Sequence, residues 1–162
     1  LLIGGRVGTS DPTNAAYAEQ VDRLIFDLGV SARVHHTGFV SPEEVSGWLA
    51  AVDVCVLPYR DGASLRHGSL HACLAHGRPV VTTRPTIEIP ELKEEENIVL
   101  APPGDIDALT ETVARVAFDP QLQERLANGA RTLAQTFSWD RIAHRIAQFL
   151  SDRREKQVQD TF

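Results

Sequence analysis

The sequence has no methionine, only two cysteines and 6% aromatic residues in 162 positions. With no initiator methionine, the chain is expected to begin inside a longer gene product. The two cysteines are too few for a disulfide framework. Cys55 falls in an expected strand and Cys73 in an expected helix, both as small core residues, and this usage suits a cytoplasmic setting. No apolar run approaches the roughly 20 residues that a membrane span needs, and no signal peptide stands at Leu1. Positive charge is in deficit: 16 Lys and Arg face 22 Asp and Glu, a net charge of −6 with a pI near 5.5. That balance argues against nucleic acid as a partner, since a basic face would be expected. A membrane surface stays open as a partner, but nothing in this acidic chain marks a membrane-binding face. The G-x-G-x-x-G fingerprint of dinucleotide-dependent oxidoreductases is missing as well.

What is present is an ordinary globular composition, 43% hydrophobic and 23% charged, enough for one core. The reading places one domain over residues 1–152 and a polar tail that frays over 153–162. The organising stretch is 53–83, DVCVLPYRDGASLRHGSLHACLAHGRPVVTT. It reads as a strand (VCVL, bounded by Pro58), a Gly/Ser-rich loop, a helix from Leu70 to His76 stopped by Gly77, and a second strand (PVVTT). The loop over 60–68 lies between a strand's carboxyl end and a helix's amino end, the edge at which open parallel sheets bind ligands.

The residue types there suit an anion. Gly62, Gly68, Ser64 and Ser69 let the backbone approach a ligand, and the first turn of the helix offers unpaired amides and a positive partial charge. Arg66 supplies a bidentate partner for phosphate oxygens, with Arg60 more distant. The plain alternative is that these glycines only turn the chain and that both arginines are solvated.

Elsewhere the chain alternates. A strand at LLIGG leads to a polar loop and a helix striped by Tyr17, Val21, Leu24, Ile25 and Leu28, stopped at Gly29. A strand over 32–37 precedes a capping box, Ser41-Pro42-Glu43-Glu44, and a helix whose buried stripe is Val45, Trp48, Leu49 and Val52. After Thr83 come a charged loop, a strand over 97–101, and three helices opened by Asp105, Asp119 and Ser138, the last striped by Ile142, Ile146, Phe149 and Leu150. Five apolar strands separated by helices predict an α/β fold: a Rossmann-like open parallel sheet flanked by helices, with extra C-terminal helices.

Other chemistry is weaker. His67 and His71 share a helix face, but no third ligand completes a zinc site, so no metal is expected. His35 and His36 adjoin on a strand and face opposite ways. The run 91–96 (ELKEEE) follows the second strand of the crossover on the ligand side and could present a carboxylate to a sugar hydroxyl, but reads more readily as a solvated loop; Glu88, nearer the strand end, is the stronger candidate acid. Trp48 and Trp139 read as packing residues.

Taken together, LLIGG, HHTGFVSPEEVSGWLAAVDVCVLPYRDG, LHACLAHGRPVVTT, NIVLAPPGDIDALTETVARVAFDP and FSWDRIAHRI resemble the C-terminal domain of a GT-B glycosyltransferase of family 4, the glycosyl transferases group 1. The resemblance covers most of the chain. It implies the Rossmann-like half of a retaining, metal-independent two-domain enzyme that needs no cofactor beyond its nucleoside diphosphate sugar substrate, UDP being the nucleotide first in view. The acceptor would be held by an N-terminal domain outside this chain, and the first strand–helix unit of the donor half would precede Leu1.

By the same resemblance Gly4, Gly5 and Arg6 pass close to the nucleotide, Phe39 and Val40 frame the base, and the amides of Gly68, Ser69 and Leu70 meet a phosphate. The family's usual pair of glutamates, one in the loop and one in the helix, is replaced by Ser64 and Ala72. Arg66 and Ser64 are therefore the expected catalytic contacts of a substituted motif. The rival reading is a noncatalytic Rossmann-like binding or interaction module derived from such an enzyme.

Overall fold

The structure is a computed structural model that describes residues 2–4 and 12–159. Contacts divide the chain into two compact units, Leu1–Gly47 and Trp48–Phe162.

In the first unit, β1 (Leu2–Gly4) and β2 (His35–Gly38) pair in parallel, with Leu2 opposite His35 and Gly4 opposite Gly38. Helix α1 (Pro12–Asp27) connects them. The strand expected from Ala32 starts later. Residues Ser31–Arg33 form a 3-10 turn, in which Arg33 N–H donates to the Val30 carbonyl at 2.8 Å and Val34 N–H to that of Ser31 at 3.2 Å. These local bonds take up the backbone groups that a longer strand would have paired. Helix α2 (Pro42–Ala51) opens with the predicted capping box: Glu44 N–H donates to Ser41 Oγ at 3.2 Å, and Ser41 N–H to Glu44 Oε2 at 2.9 Å. Its stripe is less buried than the periodicity suggests. Leu49 and Val52 are half-buried, whereas Val45 and Trp48 are 40% and 39% exposed.

The second unit carries β3 (Cys55–Leu57), α3 (Gly68–Ala75), β4 (Val80–Thr83), β5 (Val99–Ala101), α4 (Ile106–Ala117), α5 (Pro120–Thr136) and α6 (Trp139–Gln159). Its sheet runs β3-β4-β5, all parallel, with Cys55 opposite Val80 and Val81 opposite Val99. Every residue of the central strand, Val80, Val81, Thr82 and Thr83, is buried, as in a strand covered on both faces.

Side chains alternate between two cores. Val80 and Ile98 join Leu70, Cys73 and Leu74 of α3 and Ala130 and Leu133 of α5. Val81 and Val99 join Val116 of α4 and Leu122 and Leu126 of α5. Each Val, Leu or Ile among them contributes about 1.5–3 kcal/mol when fully buried. Thr82 and Thr83 are buried but satisfied, their hydroxyls donating at 2.6 Å to the carbonyls of Leu57 and Tyr59.

Asp105 and Asp119 cap α4 and α5, accepting from Ala108 N–H at 2.9 Å and Leu122 N–H at 3.0 Å. Ser138 serves α6, its Oγ accepting from Arg141 N–H at 3.4 Å. Helix α6 departs from expectation in two ways. It stays helical to Gln159, beyond Asp152 where the sequence predicts fraying. Arg, Glu, Lys and Gln are good helix formers, and neither Gly nor Pro interrupts the run. Its apolar stripe is open: Ile142 is half-buried, while Ile146, Phe149 and Leu150 are exposed. Among the described residues, no helix is long and apolar enough to cross a membrane.

Candidate functional site

Between β3 and α3 the chain makes the loop expected at the carboxyl edge of the sheet, and its backbone is tied to the exit of β4. Ala63 N–H donates to the Thr83 carbonyl at 3.0 Å, and Thr86 Oγ1 donates to the Asp61 carbonyl at 2.9 Å. Gly62 permits this approach. It sits at φ 85°, and a β-carbon there would press on the carbonyl oxygen of Arg84 and lie 3.1 Å from the Cα of Pro85. Beside this seam lies a cleft of about 640 Å³, with Asp61, Ser64, Arg66 and His67 on the loop side and Thr86, Ile87 and Ile89 opposite.

Ser64 and Arg66 both line this cleft. Ser64 is half-buried and its Oγ accepts from Arg66 N–H at 3.3 Å, which closes the loop on itself. The Arg66 side chain is exposed and makes no ion pair among the described residues. Arg66 is therefore available to an anionic ligand.

His67 is held more firmly than its sequence context suggests. Ser64 N–H donates to its Nδ1 at 3.2 Å, its own N–H donates to the Ser64 carbonyl at 3.0 Å, and the Tyr59 ring stacks on the imidazole at 3.8 Å and 25°. The Tyr59 hydroxyl lies 2.7 Å from Ser69 Oγ, and burial raises its pKa above the usual phenol value, partly offset by that bond.

The amino end of α3 differs from those of α4 and α5. Its N-cap residue is His67, whose side chain makes no capping bond. Among the described residues, the amides of Gly68 and Ser69 find no acceptor, and both residues are exposed. These two donors, with the partial positive charge of the helix end, can meet an anion. Leu70 requires a correction. Its side chain is fully buried and its N–H already donates to the His67 carbonyl at 3.1 Å, so its amide is not on offer.

The other expected contacts lie in the first unit or outside the described residues. Gly5 and Arg6 are outside them. Gly4 is opposite Gly38 in the β1–β2 register, so within the first unit Phe39 and Val40 follow β2 at the end of that two-stranded sheet where β1 also ends. Phe39 is 85% exposed and Val40 half-buried.

His71 does not join His67 as a ligand pair. Its Nε2 is 2.7 Å from the Leu65 carbonyl, and its ring meets Phe137 edge-on at 5.1 Å. Among the described residues, no three His, Cys, Asp or Glu side chains cluster in a way that could hold a metal ion. Sequence reading missed Asp61, the one carboxylate lining the cleft, and the clamp on His67. The signal for the clamp was the aromatic Tyr59 at the strand exit, together with the three-residue spacing from Ser64 to His67.

Beneath the loop, Cys55 and Cys73 are both buried and free. The hydrogen bond between them lowers the Cys55 pKa, burial opposes this and Arg78 adds to it. The same bond, with burial, pushes the Cys73 thiol far up.

Comparison with known proteins agrees with this architecture. The chain is 35% identical over 128 residues to the MMP alpha-(1->4)-mannosyltransferase of Mycolicibacterium hassiacum, covering 75% of this chain and 30% of that protein. It is 32% identical over 142 residues to the lipopolysaccharide core biosynthesis glycosyltransferase LpsE of Rhizobium meliloti, covering 83% and 39%. The chain thus spans about a third of these relatives' length. Among solved structures, Alr3699/HepE of Anabaena, crystallised with UDP, superposes with a TM-score of 0.80 at 22% identity, over 93% of this chain and 40% of that one. The fold is that of one half of a GT-B architecture. The family model described as glycosyl transferases group 1 matches residues 1–119, and the chain belongs to that family.

Proposed function

We propose that this chain is the donor-binding half of a glycosyltransferase that moves a sugar from a nucleoside diphosphate sugar to an acceptor held by a separate N-terminal domain. The observation that carries the reading is the cleft where Ser64 meets Arg66, whose side chain makes no ion pair among the described residues, one residue before a helix end without a side-chain cap. Within the glycosyl transferases group 1, the reading extends to a cytoplasmic, retaining enzyme of family 4 that needs neither metal nor cofactor. The chain's own donors take the electrostatic role. As the glycosidic bond breaks, negative charge gathers on the leaving diphosphate, and Arg66 with the amides of Gly68 and Ser69 stabilises it. Ser64 fixes the loop that carries Arg66. Asp61, an acceptor, suits sugar hydroxyls. Gly4, Gly5, Arg6, Phe39 and Val40 are assigned to the nucleotide. UDP is the first candidate because of the Alr3699/HepE complex, and GDP the second because one relative is named as GDP-mannose-dependent.

Calorimetric titration with UDP, GDP and ADP at low salt tests this. One nucleotide should bind, and Arg66→Ala should weaken it by about 1.5–3 kcal/mol, the value of a hydrogen bond to a charged group. Absence of binding by all three up to millimolar concentration would favour the second reading, a noncatalytic module, which the loss of both motif acids at Ser64 and Ala72 supports.

A further inference from the structure

The imidazole of His67 has one polar atom left over. Nδ1 accepts from the Ser64 amide at 3.2 Å, so the hydrogen of the neutral ring sits on Nε2. The ring face is covered by Tyr59 at 3.8 Å, and Tyr59 is in turn fixed through its hydroxyl to Ser69. The backbone is fixed too: His67 N–H donates to Ser64, and its carbonyl accepts from Leu70 and His71 N–H at 3.1 and 3.3 Å. Among the described residues nothing accepts from Nε2–H, and His67 lines the cleft beside Ser64 and Arg66.

A ring held this way loses little freedom when it bonds to a ligand, because its rotamer is already set. The clamp is also more than the helix needs, since the side chain makes no capping bond to α3. We propose that His67 is a binding residue of this site, donating Nε2–H to a non-bridging oxygen of the donor's diphosphate beside the Arg66 guanidinium. In this chain a clamped neutral imidazole serves in the same loop as Ser64 and Arg66. The inference deepens the donor-domain reading and rests on it.

Three variants of the chain, His67→Phe, His67→Gln and Arg66→Ala, are titrated with UDP, GDP and inorganic pyrophosphate, and with uridine and guanosine as ligands lacking phosphate. Thermal melting checks that each variant folds. His67→Phe keeps the stacked ring but removes both nitrogens, and should weaken the preferred diphosphate about tenfold to a hundredfold while leaving the nucleoside unchanged. His67→Gln restores a donor and should recover most of the loss. In the unaltered chain, imidazole nitrogen NMR should show the Nε2–H tautomer of His67, and its Nε2 resonance should move on adding the diphosphate but not the nucleoside.

Equal weakening of diphosphate and nucleoside in His67→Phe, or a static Nε2 resonance at saturating diphosphate, overturns the inference. If Arg66→Ala weakens binding and His67→Phe does not, the inference fails alone and the donor reading stands. If the unaltered chain binds no probe, both fall.

Discussion

Replacing Gly129 by alanine sets two effects against each other, and the structure decides the sign. Gly129 lies inside α5, where alanine is favoured over glycine by about 0.8–1 kcal/mol. A β-carbon there, however, would press on the carbonyl oxygen of Glu96 and lie 2.8 Å from its carbon and 2.9 Å from the Cα of Asn97. These are backbone atoms, and they cannot swing aside as the end of a side chain can. Asn97 is buried and anchors its loop: its Oδ1 accepts from Lys93 N–H at 2.9 Å, and its Nδ2 donates to the Glu91 carbonyl at 2.9 Å. Overpacking costs about 1–3 kcal/mol, and each loop bond displaced adds about 1 kcal/mol. The net expectation for Gly129→Ala is a loss of about 1–3 kcal/mol, read as a lower urea midpoint by circular dichroism. Gly47 is the control. It lies inside α2 with nothing within 4 Å of an added β-carbon, so Gly47→Ala should gain about 0.5–1 kcal/mol. A Gly129→Ala chain as stable as its parent would show that α5 does not approach the Glu96–Asn97 backbone this closely.

Two other outcomes follow from titratable groups in the second unit. Neither Cys55 nor Cys73 should react with a thiol reagent at pH 8 in the folded chain: their hydrogen bond with burial pushes Cys73 far above its ordinary value, and Cys55, which that bond lowers, is withheld from the reagent by burial; both should react in guanidinium, and prompt labelling of the folded chain would refute this burial. Tyr59, raised chiefly by burial, keeps its proton in the folded chain after it has begun to ionise in the unfolded one, so its contribution to stability is present below about pH 10 and lost as pH rises towards the folded value. Urea midpoints measured from pH 8 to 11 should fall with a steeper slope in the parent than in Tyr59→Phe; equal slopes would remove Tyr59 as the cause.

Most of the fold was legible because its signals are local. The run VVTT between Gly77 and Pro85 reads as a buried strand and is one, and the pairs Ser41/Glu44, Asp105/Ala108 and Asp119/Leu122 form the caps their spacing predicts. What failed was the inference from periodicity to burial. A stripe such as Ile142, Ile146, Phe149 and Leu150 shows which face of α6 is apolar, yet cover depends on another surface being brought to that face. Within the second unit, α5 supplies cover to both cores, packing with α3 through Ala130 and Leu133 and, beside Val116 of α4, with Val81 and Val99 through Leu122 and Leu126.

The candidate site divides in the same way. Gly62, Ser64, Arg66 and Gly68 could be picked out as a ligand loop because their types are unusual in combination, and the structure gathers Ser64 and Arg66 into one cleft. The hydrogen-bonding state of each group was not legible, because it depends on where the partners are in space. Leu70 looks like a third free amide on a helix first turn until the His67 carbonyl is seen to accept from it. His67 looks like a loop histidine with a spare neighbour at His71, until Leu65 and Phe137 occupy His71 and Tyr59 closes on His67 from the end of β3. The chemistry of the loop therefore turns on which donors the fold leaves unspent. Among those placed here they are the Arg66 guanidinium, the amides of Gly68 and Ser69, and Nε2–H of His67. These donors select for oxygen-rich anions, so in the proposed function the diphosphate is the part of the substrate on which they act, while the Asp61 carboxylate in the same loop is left to the sugar hydroxyls.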